Sequence, residues 1–347
     1  MRAKKLVTAL AIASVAGYAL TASVADAKER WKFGWAYPST LAGHGQMQKE
    51  IVEAMNTLSG GEFVLKGYEP GALVPAMQLF DAVSEGSIDA SYSPLGFWPG
   101  KEPAFSLLNS FPFGPGAVEY NAWFKWGNGG KFLDEIGKKH NIKILVCGTH
   151  SPEASGWFKE PITSIDQFKG MKMRIFGLGG KTLEKLGVNS QLLAAGDIYA
   201  ALDRGVIDAT EFSMPLMDYS FKFYEIAKHY YFPGWHQPYS TVHVLINRKK
   251  WDALDDRWKL QWDAVCDRAT LRFLTMGEAL NADTMPKFAQ HGVTIHRWDD
   301  AMLAKFKGAW EELSAELQAK DPFFKKVWDD LAKFRVKYAY WQKLASP

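Results

Sequence analysis

Cysteine is nearly absent from this 347-residue chain, which holds only Cys147 and Cys266. Two cysteines cannot staple a small disulfide-built fold, and their spacing is no zinc pattern. Two buried thiols are the favoured reading, and a bridge between them stays open. Neither sign of charge is in excess: 41 basic residues face 38 acidic ones. No basic stripe of the kind nucleic acid requires is visible, so no nucleic-acid partner is expected. Beyond the N-terminal segment no stretch approaches ~18 consecutive apolar residues, which excludes a membrane-spanning helix there. Catalytic signatures are also missing. There is no Gly-x-Ser-x-Gly and no His-Glu-x-x-His. Gly180-Lys181-Thr182 resembles the end of a phosphate-binding loop, but Ile175 stands where that loop needs its first glycine. Thr182 likewise breaks the dinucleotide fingerprint after Gly177. No nucleotide cofactor is expected. The eight histidines show no ligand spacing, and surface or cleft-rim positions are expected for them.

The chain does carry an ordinary globular composition, 47% apolar, 14% aromatic and 23% charged, with enough length for a large core. It opens Met-Arg-Ala-Lys-Lys, continues through an Ala/Leu/Val-rich stretch and reaches Ala25-Asp26-Ala27, a small-x-small site. This is the pattern of a secretory signal peptide over residues 1–27. Removing it leaves a nearly neutral chain.

Apolar periodicity then alternates between strand and helix. Residues 30–36, 62–68, 88–92, 142–148, 172–176, 207–212 and 241–247 read as strands, with 155–159 as a continuation of the 142–148 strand. Residues 45–58, 74–84, 179–186 and 197–204 read as helices, and from Trp251 the chain is mostly helical apart from a strand near 293–297. The alternation predicts an α/β fold with largely parallel sheets. One long-period echo stands out: Ala82-Val-Ser-Glu-Gly-Ser-Ile-Asp89-Ala matches Ala201-Leu-Asp-Arg-Gly-Val-Ile-Asp208-Ala. In both, a glycine sits where a helix C-cap wants a left-handed residue. Two similarly built lobes are expected, with a cleft beyond the strand ends. Tyr92 and Ser93 would approach it from one lobe, Glu211 and Phe212 from the other.

The centre of the chain resembles the substrate-binding subunits of TRAP (tripartite ATP-independent periplasmic) transporters. The matching run is Phe168-Lys-Gly-Met-Lys-Met-Arg174-Ile, then Gly187, then Asp197-Ile-Tyr-Ala-Ala-Leu-Asp-Arg-Gly-Val-Ile-Asp-Ala-Thr-Glu211, then His229-Tyr-Tyr-Phe-Pro-Gly-Trp235-His-Gln-Pro238. Pro75 through Gly86, Pro103-Ala-Phe and Phe111-Pro-Phe-Gly114 extend the likeness toward the N-terminus. Pro-Gly-Trp235 and Gly-Trp157-Phe158 resemble the branch that binds 2-oxo acids and related small carboxylates beside a metal ion.

The resemblance implies a two-lobed periplasmic binding protein with a hinge cleft and a long C-terminal helical segment. Lobe 1 is expected over 28–150, lobe 2 over 151–247, and a mostly helical region over 248–347. It implies that Arg174 pairs with a ligand carboxylate, for which a guanidinium fork is suited. It implies a Ca²⁺ or Na⁺ ion bound with the ligand at Glu153, Glu211, Gln237 and the Phe212 carbonyl. Glu153 stands where the branch has Gln and Gln237 where it has Glu, so the total anionic charge is conserved. Loss of the ion, with a protonated carboxyl and Arg174 neutralising the site, is the competing expectation. Glu153, Phe212, Trp98, Tyr92 and Phe113 are expected against the substrate; Trp98 replaces a Tyr of the branch. The implied partners are a small organic acid, the TRAP membrane permease and, through the apolar stripe Phe324, Val327, Trp328, Leu331, Phe334, Tyr338, Trp341, a second copy of the chain. The rival readings are a secreted enzyme acting through Glu153 and Glu211, and a sensor subunit presenting its ligand to a receptor. The exported protein should begin at Lys28; N-terminal mass spectrometry of periplasmic material checks this, and an intact Met1 would overturn it.

Overall fold

The computed structural model describes residues 28–345, so the expected signal peptide lies outside the described residues. Strands β1 (Glu29–Trp35), β2 (Phe63–Tyr68), β3 (Ala90–Ser93) and β4 (Ile142–His150) come first. Strands β5 (Gly156–Phe158), β6 (Lys172–Arg174), β7 (Asn189–Gln191), β8 (Ala209–Thr210) and β9 (His229–Phe232) follow, then β10 (Ser240–Asn247) and β11 (Thr294–Arg297). They form two sheets, in the orders β2-β1-β3-β10-β4 and β11-β9-β5-β8-β6-β7.

The internal echo marks equivalent places in these sheets. Helix Leu79–Glu85 ends at left-handed Gly86 and leads to β3; helix Ile198–Asp203 leads through left-handed Gly205 to β8. β3 runs parallel to β1 and antiparallel to β10, while β8 runs parallel to β6 and antiparallel to β5. Each sheet is therefore mixed, not largely parallel. The antiparallel member of each is supplied by chain arriving from the other sheet. The chain crosses as a loop at 151–155, between β4 and β5, and at 233–239, between β9 and β10, and returns to the second sheet through the helix Asp256–Ala289 before β11.

Three expectations are corrected by the observed strands. Residues 155–159 do not extend β4, because β5 pairs with β8 and β9 in the other sheet. β10 belongs to the first sheet although residues 151–247 were expected as one lobe; its fully buried Thr-Val-His-Val-Leu-Ile run fits between two strands, and local pattern carries no information on which sheet supplies them. The strand expected over 207–212 shrinks to Ala209–Thr210, although the Glu211 N–H still donates to the Arg174 carbonyl of β6. β7 and β9 were not foreseen: β7 is only three residues long and polar, and β9 is rich in aromatics that also suit a helix.

The helix Asp256–Ala289 is the longest element and touches both sheets. Trp262 packs on Trp31 and Phe63 at one end, and Phe288 on Trp157 and Tyr230 at the other. Cys266 of this helix and Cys147 of β4 form a disulfide, so the expectation of two free thiols is wrong. Both cysteines are buried, and packing of the helix on β4 brings them together. The C-terminal helix Pro322–Ala345 buries Phe324, Val327 and Leu331 and leaves Val336, Tyr340, Trp341 and Leu344 exposed. Among the described residues no helix is long and apolar enough to cross a membrane. The disulfide closes a sequence separation of 119 residues, so Cys147→Ala should lower unfolding free energy by about 3–5 kcal/mol. Urea titration checks this, with wild type under reducing conditions expected to match the variant.

Candidate functional site

The first ionic contact of the site follows from the second sheet. Arg174 ends β6 and Glu211 follows β8, its parallel neighbour, so the two side chains emerge side by side at the carboxyl ends of the strands. The Glu211 backbone N–H donates to the Arg174 carbonyl at 2.9 Å. Arg174 Nη1 in turn donates to the Glu211 carbonyl at 2.6 Å and to Glu211 Oε2 at 3.1 Å. The same Oε2 accepts the Phe176 N–H, just ahead of helix Gly177–Glu184, at 3.0 Å. The anion held at that helix start is therefore Glu211 itself. Both residues are buried, and the guanidinium lies 5.3 Å from the Phe212 ring centre.

The two crossings deliver the remaining polar groups. Glu153 comes from the first, His236 and Gln237 from the second. The crossings are tied together where Ser155 Oγ donates to the Pro233 carbonyl at 2.5 Å. His236 Nε2 lies 3.4 Å from Glu153 Oε2 and 3.6 Å from Glu211 Oε1, and His150 Nε2 lies 3.2 Å from Glu153 Oε1. Glu153, Glu211 and His236 offer ligand atoms all within 4.8 Å of one another. His236 is a correction: sequence spacing placed the histidines at the surface or rim, yet this one is wholly buried. Its adjacency to Gln237 was the available signal.

Several buried atoms here have no hydrogen-bond partner: Glu153 Oε2, Glu211 Oε1, Gln237 Oε1, Arg174 Nε and both His236 nitrogens. Buried polar atoms are rarely left this way unless something binds them. Burial opposes the Glu211 charge, but Arg174, then His236 and the Phe176 N–H, overcome it and bring its carboxyl to about 2. Burial pushes the Glu153 carboxyl up, with the Glu211 charge acting in the same direction. Burial also opposes a charged His236, yet Glu153 and Glu211 hold it at about 9. Burial brings His150 down to about 4. A proton on Glu153 thus leaves Arg174 and His236 facing one carboxylate, a site receptive to an anion.

These groups surround a cavity between the sheets. Tyr37, His44, Phe97 and Thr241 line it from one side; Arg174, Phe176, Phe212 and Ser213 from the other; His150, Glu153 and Gln237 from the crossings. Its volume, counted as space open to the centre of a water molecule, is about 30 Å³, room for roughly two waters.

Arg174, Glu153, Phe212 and Gln237 thus line the cavity, and Glu211 is buried beside it. Tyr92, Trp98 and Phe113 do not line it. Tyr92 alternates with Ser91 and Ser93 along β3 and turns into the first lobe's core. Trp98 donates through Nε1 to the Met77 carbonyl at 2.8 Å and packs on Phe80, leaving Phe97 as the wall. Phe113 stacks on Trp235 at 5.8 Å. Sequence reasoning missed His44, which stacks on Tyr37 with ring centres 3.8 Å apart, and His150.

The profile of the bacterial extracellular solute-binding proteins, family 7, matches residues 36–321. A monocarboxylate 2-oxoacid-binding periplasmic protein of Nostoc is 31% identical, over 91% of this chain and 86% of its own. A TRAP transporter solute-binding protein from Bordetella bronchiseptica, a dimer with calcium and picolinate in one site, is 32% identical with a TM-score of 0.90, over 92% of this chain and 95% of its own. One from Pseudoalteromonas atlantica, with bound sodium and pyruvate, is 25% identical with a TM-score of 0.88, over 91% and 97%.

Removing Glu211 would leave the Arg174 guanidinium buried without its counter-ion. Glu211→Leu should therefore destabilise the ligand-free protein by about 3–5 kcal/mol, measured by urea unfolding. A loss below ~1 kcal/mol would mean the pair is not structurally committed.

Proposed function

We propose a ligand and a mode of capture from one premise: the chain belongs to bacterial extracellular solute-binding protein family 7 and is the solute-binding component of a TRAP transporter. It works in the periplasm, reached through the N-terminal leader. It closes around a small 2-oxo monocarboxylate of about pyruvate's size together with a hard cation, and passes the acid unchanged to the membrane permease.

The observation that carries this reading is the set of orphaned acceptors beside Arg174. Glu153 Oε2, Glu211 Oε1 and Gln237 Oε1 are three buried oxygens with no hydrogen bond, the first two facing His236 Nε2 at 3.4 and 3.6 Å. Oxygen donors of this kind suit Ca²⁺ or Na⁺, so the residues present fit the ion. Glu153, Glu211 and Gln237 would hold it, joined by the Phe212 carbonyl. Bound there, it would supply the positive charge that lets these carboxylates share a site with a third from the ligand.

The chain's own residues do the rest. Arg174 uses one side of its guanidinium on Glu211 and keeps Nε for the ligand carboxylate. Phe97, Phe176 and Phe212 exclude water and restrict the acid's side chain. Tyr37 and His44 meet the ligand from the first lobe, so it touches both lobes and stabilises the closed form. No covalent step is required. The Glu211 charge is committed to Arg174 and the Phe176 N–H, not poised as a free base. The exposed apolar half of the C-terminal helix offers a surface for a second copy.

Calorimetric titration of pyruvate into chelator-stripped protein, with and without added Ca²⁺, tests the reading. Binding should tighten with Ca²⁺, and Arg174→Ala should weaken it by about 2–5 kcal/mol. NMR of the released ligand should return pyruvate intact. Equal affinity with and without Ca²⁺ would remove the ion and leave Arg174 as anchor; turnover would sink the receptor reading.

A further inference from the structure

The long helix Asp256–Ala289 touches both segments that carry the site's carboxylates, at one place and with one face. Phe273, Gly277 and Asn281 are spaced by four residues and share that face. Phe273 packs on His44 and His150, with ring centres 5.0 and 5.8 Å away. At Gly277 the helix comes so close that a Cβ would lie 2.3 Å from Ser151 Oγ and 2.8 Å from Met214 Sδ. Only glycine permits that approach, because both neighbours are themselves buried. One turn on, Asn281 Nδ2 donates to Ser151 Oγ at 2.8 Å, while Asn281 Oδ1 accepts the Leu216 N–H at 2.9 Å. Ser151 lies two residues before Glu153, and Leu216 five residues after Glu211. A single amide thus binds the Glu153 segment and the Glu211 segment at once. Ser151 Oγ closes the triangle by donating to Met214 Sδ at 3.2 Å. Nearer the carboxylates, one backbone bond joins the same two segments, from the Ala154 N–H to the Ser213 carbonyl at 3.2 Å.

We propose that Asn281, seated over Gly277, is a positioning residue that holds the Glu153 and Glu211 segments at the separation a shared cation requires. It lies outside the cavity lining. It acts through Ser151 and Leu216. The helix that carries it is anchored to β4 by the Cys147–Cys266 disulfide, so the tie has a fixed support in the first lobe. The cation part of this inference rests on the function proposed above; the spacing part does not.

Two variants separate positioning from bulk stability. Asn281→Leu keeps the volume and loses both hydrogen bonds. Asn281→Asp keeps an acceptor for the Leu216 N–H and can accept the Ser151 hydroxyl, so it should rescue. Hydrogen exchange on the ligand-free protein reads spacing directly. In Asn281→Leu the Ala154 amide should exchange about tenfold faster or more, a loss of hydrogen-bond size. Core strands β1 and β3 should keep their protection, and Asn281→Asp should resemble wild type. Calorimetry with pyruvate then reads the site. The factor by which Ca²⁺ tightens binding should fall about tenfold in Asn281→Leu and recover in Asn281→Asp. Unchanged exchange at Ala154 in Asn281→Leu overturns the proposal, as does uniform deprotection across β1 and β3 or an unchanged Ca²⁺ factor. If wild type itself shows no Ca²⁺ factor, the cation reading fails, and the exchange result alone decides the role of Asn281.

Discussion

The buried contact between Arg174 and Glu211 is the interaction on which the rest of the site depends. A guanidinium taken out of water must be paired and hydrogen-bonded, or its desolvation is ruinous. Here the pairing is made twice, through the Glu211 carbonyl and its carboxylate. It also sets the electrostatics of its neighbours. With Glu211 held ionised, a second charge on Glu153 is disfavoured unless His236, a proton or a cation compensates it.

The second constraint is topological. Each sheet borrows its antiparallel strand from chain that has just left the other, so the polypeptide crosses the gap at 151–155 and at 233–239. A crossing cannot satisfy its polar groups within a sheet ladder. It must find partners in the gap, and side chains there end up between the lobes. Glu153, His236 and Gln237 are all crossing residues. The long helix Asp256–Ala289 lies across this region, fixed to β4 by the disulfide and reaching to the second sheet's aromatic core around Trp157 and Tyr230.

Much of this was legible in the amino-acid order alone. Helix periodicity located His44–Leu58 and the helical tail, and the two Gly-Ser/Val-Ile-Asp-Ala passages identified equivalent strands in two lobes. Arg174, Glu153, Glu211, Phe212 and Gln237 were named from motif position, and they gather at one cavity. Trp98, Tyr92 and Phe113 were named from the same kind of likeness and stand off it. An aromatic's motif position does not say which way its strand or turn faces, and a neighbour such as Phe97 can take the wall instead.

What the sequence determined by itself are properties that depend on near neighbours: the α/β alternation, the left-handed glycines after two helices and the residue types at the site. Only the tertiary structure decided those that depend on distant ones. β10 lies in the first sheet because two strands made much earlier are waiting for it there. Cys147 and Cys266 are bonded because a helix packs on β4. His236 is buried between two carboxylates because both crossings meet at one point. Local pattern measures how each segment would bury its own apolar face; it does not record which remote segment supplies the other half of a ladder, a disulfide or an ion pair.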